Sequence, residues 1–219
     1  MKQKTIFITA AILLVAVFAG AAQMYRSQQA QQTAARAAQN RESLVRFHAP
    51  SIGNAAARVH IVEFLDPACG TCAAFYPIVK SMMAANPNDI RLSVRYAPFH
   101  QGSDEVVKAL EASRKQGKYW QALEALLASQ PAWAQNHRAN VDLVWPHLAR
   151  VGVDTDRARS DMQSPEIARL ISQDVRDAQA LNVKATPEYF VNGRPLPSFG
   201  AEQLRTLVDD ELAATNKAM

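Results

Sequence analysis

Apolar positions along the chain follow two rhythms, and the change from one to the other marks its centre. From Ala57 to Leu65 the run ARVHIVEFL is compact, rich in β-branched residues and closed by Asp66-Pro67, the pattern of a buried strand. The next segment, CGTCAAFYPIVKSMMAA, spaces its apolar residues for a helix from Cys69 to Ala85; Pro77 is expected to kink it and Asn86-Pro87 to end it. A second strand, DIRLSVRYA, stops at Pro98. Strand, tight turn, helix and strand predict a parallel, right-handed unit with CGTC opening its helix.

Residues 103–181 keep the helical rhythm. Ser103 is placed to cap DEVVKALEASRKQG, with acids in its first turn, Lys115 near its end and Gly117 as its stop. KYWQALEALLAS and the Pro146-interrupted NVDLVWPHLARVG follow as amphipathic segments. Ser164-Pro165 then opens a longer helix with Ile167, Leu170, Ile171, Val175 and Ala178 on one face. The chain returns to strand in PEYFVNGRPLP, where Asn192-Gly193 is a two-residue hairpin signal, and GAEQLRTLVDDELAA closes it as a helix. The class is α/β with a helical insertion at about 103–181.

The first residues behave differently. Lys2 and Lys4 precede TIFITAAILLVAVFAGAA, which carries no charge from Thr5 to Ala22, the order of charge and apolar residues that an export signal needs. Its length is at the lower edge of what spans a ~30 Å hydrocarbon core. Two readings of residues 1–22 stay open. The preferred one is an uncleaved signal-anchor, because Tyr25 and Arg26 follow at once as interfacial anchors and the lysines hold the N-terminus inside. The other is a signal peptide cut near Ala21 or Ala22, leaving a soluble periplasmic protein. Either way the rest faces an oxidising, extracytoplasmic compartment. Residues 23–46, rich in Gln and Ala and lacking regular large apolar positions, read as a partly helical tether ahead of one domain at 47–219.

The whole chain of 219 residues has room for one good core. Its excess of four positive charges is spread thinly, with no Lys/Arg run interleaved with aromatics, so nucleic acid is set aside as a partner. Both cysteines of the chain, Cys69 and Cys72, lie in the stretch DPACGTCAAFYP. A structural disulfide gains stability from closing a long loop, and this spacing closes a very short one. Structural zinc takes four ligands, and the sequence has neither a second CxxC nor a His pair at finger spacing. Copper(I) is content with two thiolates and stays open as a non-enzymatic alternative.

A redox pair explains more of the setting. At the start of a helix the first sulfur meets unpaired N–H groups and the positive end of the macrodipole, so Cys69 is the expected acidic, reactive thiol. Cys72, one turn further in, is the resolving thiol. Glu63 is an acid in the middle of an apolar strand, costly there without a partner or a task. As a task, it is a proton acceptor for Cys72; as a bland alternative, it is an acid at a strand edge facing water. His100 is read as a solvated loop residue.

VHIVEFLDPACGTC, QGKYWQALEALL and ATPEYFVNGRPL together resemble the DsbA-like branch of the thioredoxin superfamily, the exported thiol:disulfide oxidoreductases, over about residues 47–213. The resemblance implies a thioredoxin fold, a central mixed β-sheet flanked by helices and interrupted by a helical domain. It implies that Pro187 is the family's cis-proline, that Thr186 before it faces the sulfurs, and that Glu63 is the family's buried acid. Gly70 and Thr71, between the cysteines, join Thr186 and Pro187 as the expected substrate-binding residues. Gly70-Thr71 lacks a histidine that would add a partner for the Cys69 thiolate, which argues against an extreme oxidant. The function expected is a monomeric, membrane-tethered enzyme acting on cysteines of exported proteins. Oxidase is preferred over isomerase or reductase; a membrane or periplasmic partner resets the pair, and no organic cofactor or metal is implied.

Overall fold

One mixed sheet separates two apolar clusters of unequal size, and the reactive turn lies over the larger. The computed structural model describes residues 2–217; the side chains of residues 2–6, 8–12, 30 and 216–217 are outside what it describes. In chain order the elements are α1 (Lys2–Leu44), β1 (Ser51–Gly53), β2 (Val59–Leu65), α2 (Gly70–Ala85) and β3 (Ile90–Tyr96). Then come α3 (Ser103–Lys115), α4 (Tyr119–Ala128), α5 (Gln130–Trp133), β4 (Ala134–Gln135), β5 (Arg138–Ala139), α6 (Trp145–Arg150), α7 (Thr155–Asp161) and α8 (Pro165–Ala180). The chain closes with β6 (Glu188–Val191), β7 (Arg194–Pro195) and α9 (Ala201–Lys217).

The sheet runs β1-β3-β2-β6-β7. β2 pairs β3 in parallel across the α2 crossover, as the strand-helix-strand pattern predicts, and the other neighbours are antiparallel. Alternation along β2 sorts its side chains. Val59, Ile61 and Leu65 enter the large core with Tyr76 and Val79 of α2 and Leu204, Leu207 and Val208 of α9. Val62 and Phe64 enter the smaller one with Leu44, Phe190 and Ala178. Glu63 falls on the first face, the side that carries the cysteines. Asn192 and Gly193 make the β6–β7 turn with positive φ of 50° and 88°.

Ser103 does not cap α3: Gly102 holds the N-cap position and the Ser103 hydroxyl donates to Asp66 instead. Three larger parts also differ from the sequence expectation. β1 lies in HAPSIGN, where no strand was expected; a three-residue edge strand is too short to show a period. β4 and β5 form a second, two-stranded sheet within the helical segment, turned by Asn136 and His137, both at positive φ. Asn-His is not the Asn-Gly or Asp-Gly signature by which such turns are read.

The third difference concerns residues 23–46. As far as Leu44 they continue the α1 helix, and its last turns dock on the domain instead of standing away from it. Ala37 and Leu44 are buried, and Asn40 Nδ2 donates to the Gly193 carbonyl at 3.0 Å. The C-terminal carbonyls of a helix lack intrahelical partners. Here those of Ser43 and Leu44 accept from Arg95 Nη1 at 2.7 and 3.0 Å. Arg95 is wholly buried and also donates to Asp174 and Asp177, which hold His48 and Arg46. The anchoring side chains are therefore polar groups supplied by β3 and α8, invisible in the tether's own composition. Among the described residues no helix is long and apolar enough to cross a membrane. The anchor expected over residues 5–22 falls partly on side chains outside the described residues.

Candidate active site

The turn from β2 into α2 is organised by a buried carboxylate. Asp66 Oδ1 accepts from Ala68 N at 2.8 Å and from Ser103 Oγ, while Oδ2 accepts from His100 N at 2.8 Å and His100 Nδ1 at 2.7 Å. The Asp66 carbonyl accepts from Cys69 N. From the other side, Gln130 Nε2 donates to the carbonyls of Pro67 and Cys69 at 2.7 and 3.0 Å. One buried acid and one buried amide thus tie the cysteine turn to α3 and α5. Cys69 caps α2 in an extended conformation, which leaves its sulfur beside the first N–H groups of the helix.

Both cysteines are free thiols. Cys69 keeps 6% of its surface open and Cys72 none. That difference of one turn separates their acidities. The Cys69 thiol is lowered from 9.0 to about 5, first by the Cys72 side chain donating to it, then by the Thr186 hydroxyl and the backbone N–H groups of Cys72 and Thr71, against the cost of burial. Cys72 moves the other way, raised well above its ordinary value by burial, by giving its hydrogen bond to Cys69 and by the charge of Glu63. As a thiol, Cys69 Sγ donates to the Thr186 carbonyl at 3.1 Å. As a thiolate it has no proton for that bond and is held by the donors instead.

Glu63 is completely buried, and neither carboxylate oxygen has a hydrogen-bond partner among the described residues. Burial pushes its pKa up to about 8, with the Tyr189 hydroxyl offsetting part of the rise and the Cys69 charge adding to it. Tyr189 is its cross-strand neighbour on β6, and its hydroxyl likewise makes no hydrogen bond of ordinary geometry. The water-facing alternative for Glu63 is therefore wrong.

Cys69, Gly70, Thr71 and Thr186 line one open groove of about 960 Å³. The Thr186-Pro187 bond is cis, and Pro187 is buried behind the groove rather than in its lining. Glu63 is outside the groove lining, wholly buried and near enough to Cys72 for its charge to act on that thiol. On sequence alone His100 reads as a solvated loop residue, and no local pattern marks Asp66, Gln130 or His137 for the site. In the structure His100 and His137 line the same groove, their rings stacked with centroids 5.5 Å apart. Among the described residues no group of three or more His, Cys, Asp or Glu is arranged to hold a metal ion.

The family model described as thioredoxin matches residues 45–210. The chain belongs to the thioredoxin family. A thioredoxin-like oxidoreductase from Silicibacter pomeroyi DSS-3 is 33% identical with a TM-score of 0.69, over 82% of this chain and 99% of that one. The thiol-disulfide exchange protein alpha-DsbA2 from Wolbachia pipientis has the same fold, with 21% identity, a TM-score of 0.68 and coverage of 84% and 97%. A stretch of 140 residues, 64% of this chain, is 30% identical to part of the Na(+)/H(+) antiporter NhaA of Herminiimonas arsenicoxydans. The chain spans 22% of that antiporter's length. The match to a thioredoxin-like oxidoreductase and the DsbA-type fold agree with the resemblance carried by VHIVEFLDPACGTC and ATPEYFVNGRPL.

Proposed function

We propose that this thioredoxin-family oxidoreductase exchanges a Cys69–Cys72 disulfide with cysteines of exported proteins, working as an oxidase. The observation that carries the reading is the opposed acidity of the two sulfurs, about 5 at Cys69 and raised at Cys72. In the disulfide form, a substrate thiolate attacks Cys69 Sγ, the Cys69–Cys72 bond breaks and its electron pair goes to Cys72. A second substrate thiolate then attacks its neighbour's sulfur in the mixed disulfide, giving the substrate its disulfide and leaving Cys69 as a thiolate. Whatever stabilises that thiolate stabilises the reduced enzyme, so the donors around Cys69 favour delivery of disulfides over their removal. Half-exposed Phe99 on the groove wall suits apolar flanks of an unfolded chain.

In the opposing, reductive route Cys72, having lost its proton, attacks Cys69 Sγ of the mixed disulfide, the Cys69–Cys72 bond forms and the substrate leaves as a thiolate; Glu63, close enough for its charge to act on Cys72, is placed to accept that proton. A membrane or periplasmic partner returns the reduced pair to the disulfide, and the exchange needs no organic cofactor. Alkylation of the reduced protein across pH tests the assignment. One thiol, identified as Cys69 by peptide mapping, is expected to react with a midpoint near pH 5, whereas Cys72 stays unreactive to above pH 9. Two thiols titrating together near 8.5 overturn the division of roles.

The reading includes a monomer held at the extracytoplasmic face of the inner membrane by residues 5–22. Its support is the exposure of Phe7, Leu13, Leu14, Val15, Val17 and Phe18 on α1, apolar side chains with no cover from the domain. Carbonate washing is expected to leave the protein in the membrane fraction with its N-terminus intact; a soluble form starting near Ala22 establishes the cleaved signal instead.

A further inference from the structure

The exchange reading provides a proton acceptor at Cys72 but none at the other end of the reaction, where an incoming thiol must ionise before it attacks. An ordinary thiol has a pKa of about 8.5, so only a few per cent is thiolate at neutral pH. We infer that His100, fixed by Asp66, receives the proton of the substrate thiol that attacks Cys69, and that the resulting imidazolium steadies the thiolate until it reacts. This inference rests on the exchange reading above.

The placement is the argument. His100 is gripped twice by one buried carboxylate, through its backbone N–H and through Nδ1, which fixes the ring and assigns Nδ1 as the proton-bearing nitrogen. Nε2 is then the acceptor, and no hydrogen bond occupies it among the described residues. The same carboxylate receives Ala68 N, two residues along the turn, while its residue's carbonyl receives Cys69 N. Asp66 therefore couples the position of the imidazole to that of Cys69, and the two side chains line one groove.

His137 completes the arrangement. It stacks on His100 at an interplanar angle of 13°, held at the tip of the β4–β5 turn, and covers one face of the ring. The titratable groups around His100 are Asp66 beneath it, His137 on its face, and Cys69 and Lys184 in the shared groove. Asp66 is already paired with His100, and the surrounding charges leave an imidazolium beside an anionic sulfur well matched.

The proton balance is complete without another reactant. Substrate S–H gives its proton to Nε2, the thiolate attacks Cys69 Sγ, and the electron pair of the broken disulfide passes to Cys72, which takes the proton of the neutral Glu63 carboxyl near it and ends as a thiol. The imidazolium loses its proton to water once the mixed disulfide has formed. His100 thus acts on the attacking thiol, and it leaves the acidity of Cys69 to the donors already described.

The test uses the oxidised full chain and glutathione as the thiol, following loss of the disulfide by rapid acid quench, alkylation and mass spectrometry from pH 6 to pH 9.5. His100→Gln keeps a donor for Asp66 but accepts no proton. It is expected to slow the reaction by about tenfold at pH 6.5 and to match the wild type above pH 9, where glutathione is already ionised. Alkylation of the reduced variant should leave the pH profile of Cys69 as in the wild type. Slowing by the same factor at every pH indicates a structural role and overturns the inference, as does no slowing. A wild-type disulfide inert to glutathione across the range rejects the exchange reading itself.

Discussion

Replacing Cys72 with Ala is expected to convert the protein into a trap. Cys69 remains at the groove, its sulfur still held by the Thr186 hydroxyl and the helix N–H groups, so it can still enter a mixed disulfide. What is lost is the thiol one turn inside, wholly buried and hydrogen-bonded to Cys69. Covalent complexes with exported, cysteine-containing proteins should accumulate and vanish on treatment with dithiothreitol, and Cys69→Ala should give almost none. The largest single cause of the Cys69 acidity is also removed, because it is the Cys72 side chain that donates most strongly to the sulfur. The reactive thiol of the variant should therefore titrate above the wild-type value of about 5, and capture is best read near pH 8. A Cys72→Ala protein that captures nothing, together with a wild type that retains copper(I) without exchanging thiols, would support the two-thiolate copper reading instead.

The residues that make this trap were legible because their signals are local. CGTC opens a helix after a strand, the Thr-Pro step precedes a hairpin, and Glu63 interrupts an apolar run; each is contained in a dozen residues. The supports of the site were not legible, because they are brought together from far apart. Asp66 meets His100 and Ser103 at separations of 34 and 37 residues, and Gln130 reaches Pro67 across 63. Alone, Asp66 is half of an Asp-Pro strand stop, and His100 is a lone loop histidine. Only the packing of α3 and α5 against the turn shows that one buried carboxylate holds both. The end of α1 follows the same rule. Its own sequence offers little to dock with, yet Arg95, Asp174 and Asp177 wait for its carbonyls and for Arg46 and His48.

Glu63 carries the other large expected effect, and it has two readouts. A carboxyl whose pKa is about 8 in the folded protein, against 4.5 unperturbed, binds a proton in the native state that the unfolded chain has already released. The folded state holds more protons between those values, so its stability falls as pH rises from 4.5 towards 8, and nothing is lost below 4.5. Glu63→Gln removes that dependence. Comparing reduced wild type and variant in denaturant at pH 4 and pH 7, the balance should swing by about 3 kcal/mol towards the variant at the higher pH, at 1.36 kcal/mol per unit. Any constant cost of burying an amide appears equally at both pH values and cancels from this difference. Kinetically, the same substitution should slow resolution of a mixed disulfide by Cys72 on the order of 10²-fold while leaving its formation, by attack of the Cys69 thiolate on a substrate disulfide, unchanged, since the acid serves the raised Cys72 thiol. A stability difference that stays flat with pH would mean the buried carboxyl is ionised at little cost. Equal slowing of both steps would mean it shapes the site without moving a proton. The combination of a pH-dependent gain in stability with a selective loss in resolution is the signature of a buried carboxyl whose raised pKa, near 8, poises it to exchange a proton with Cys72.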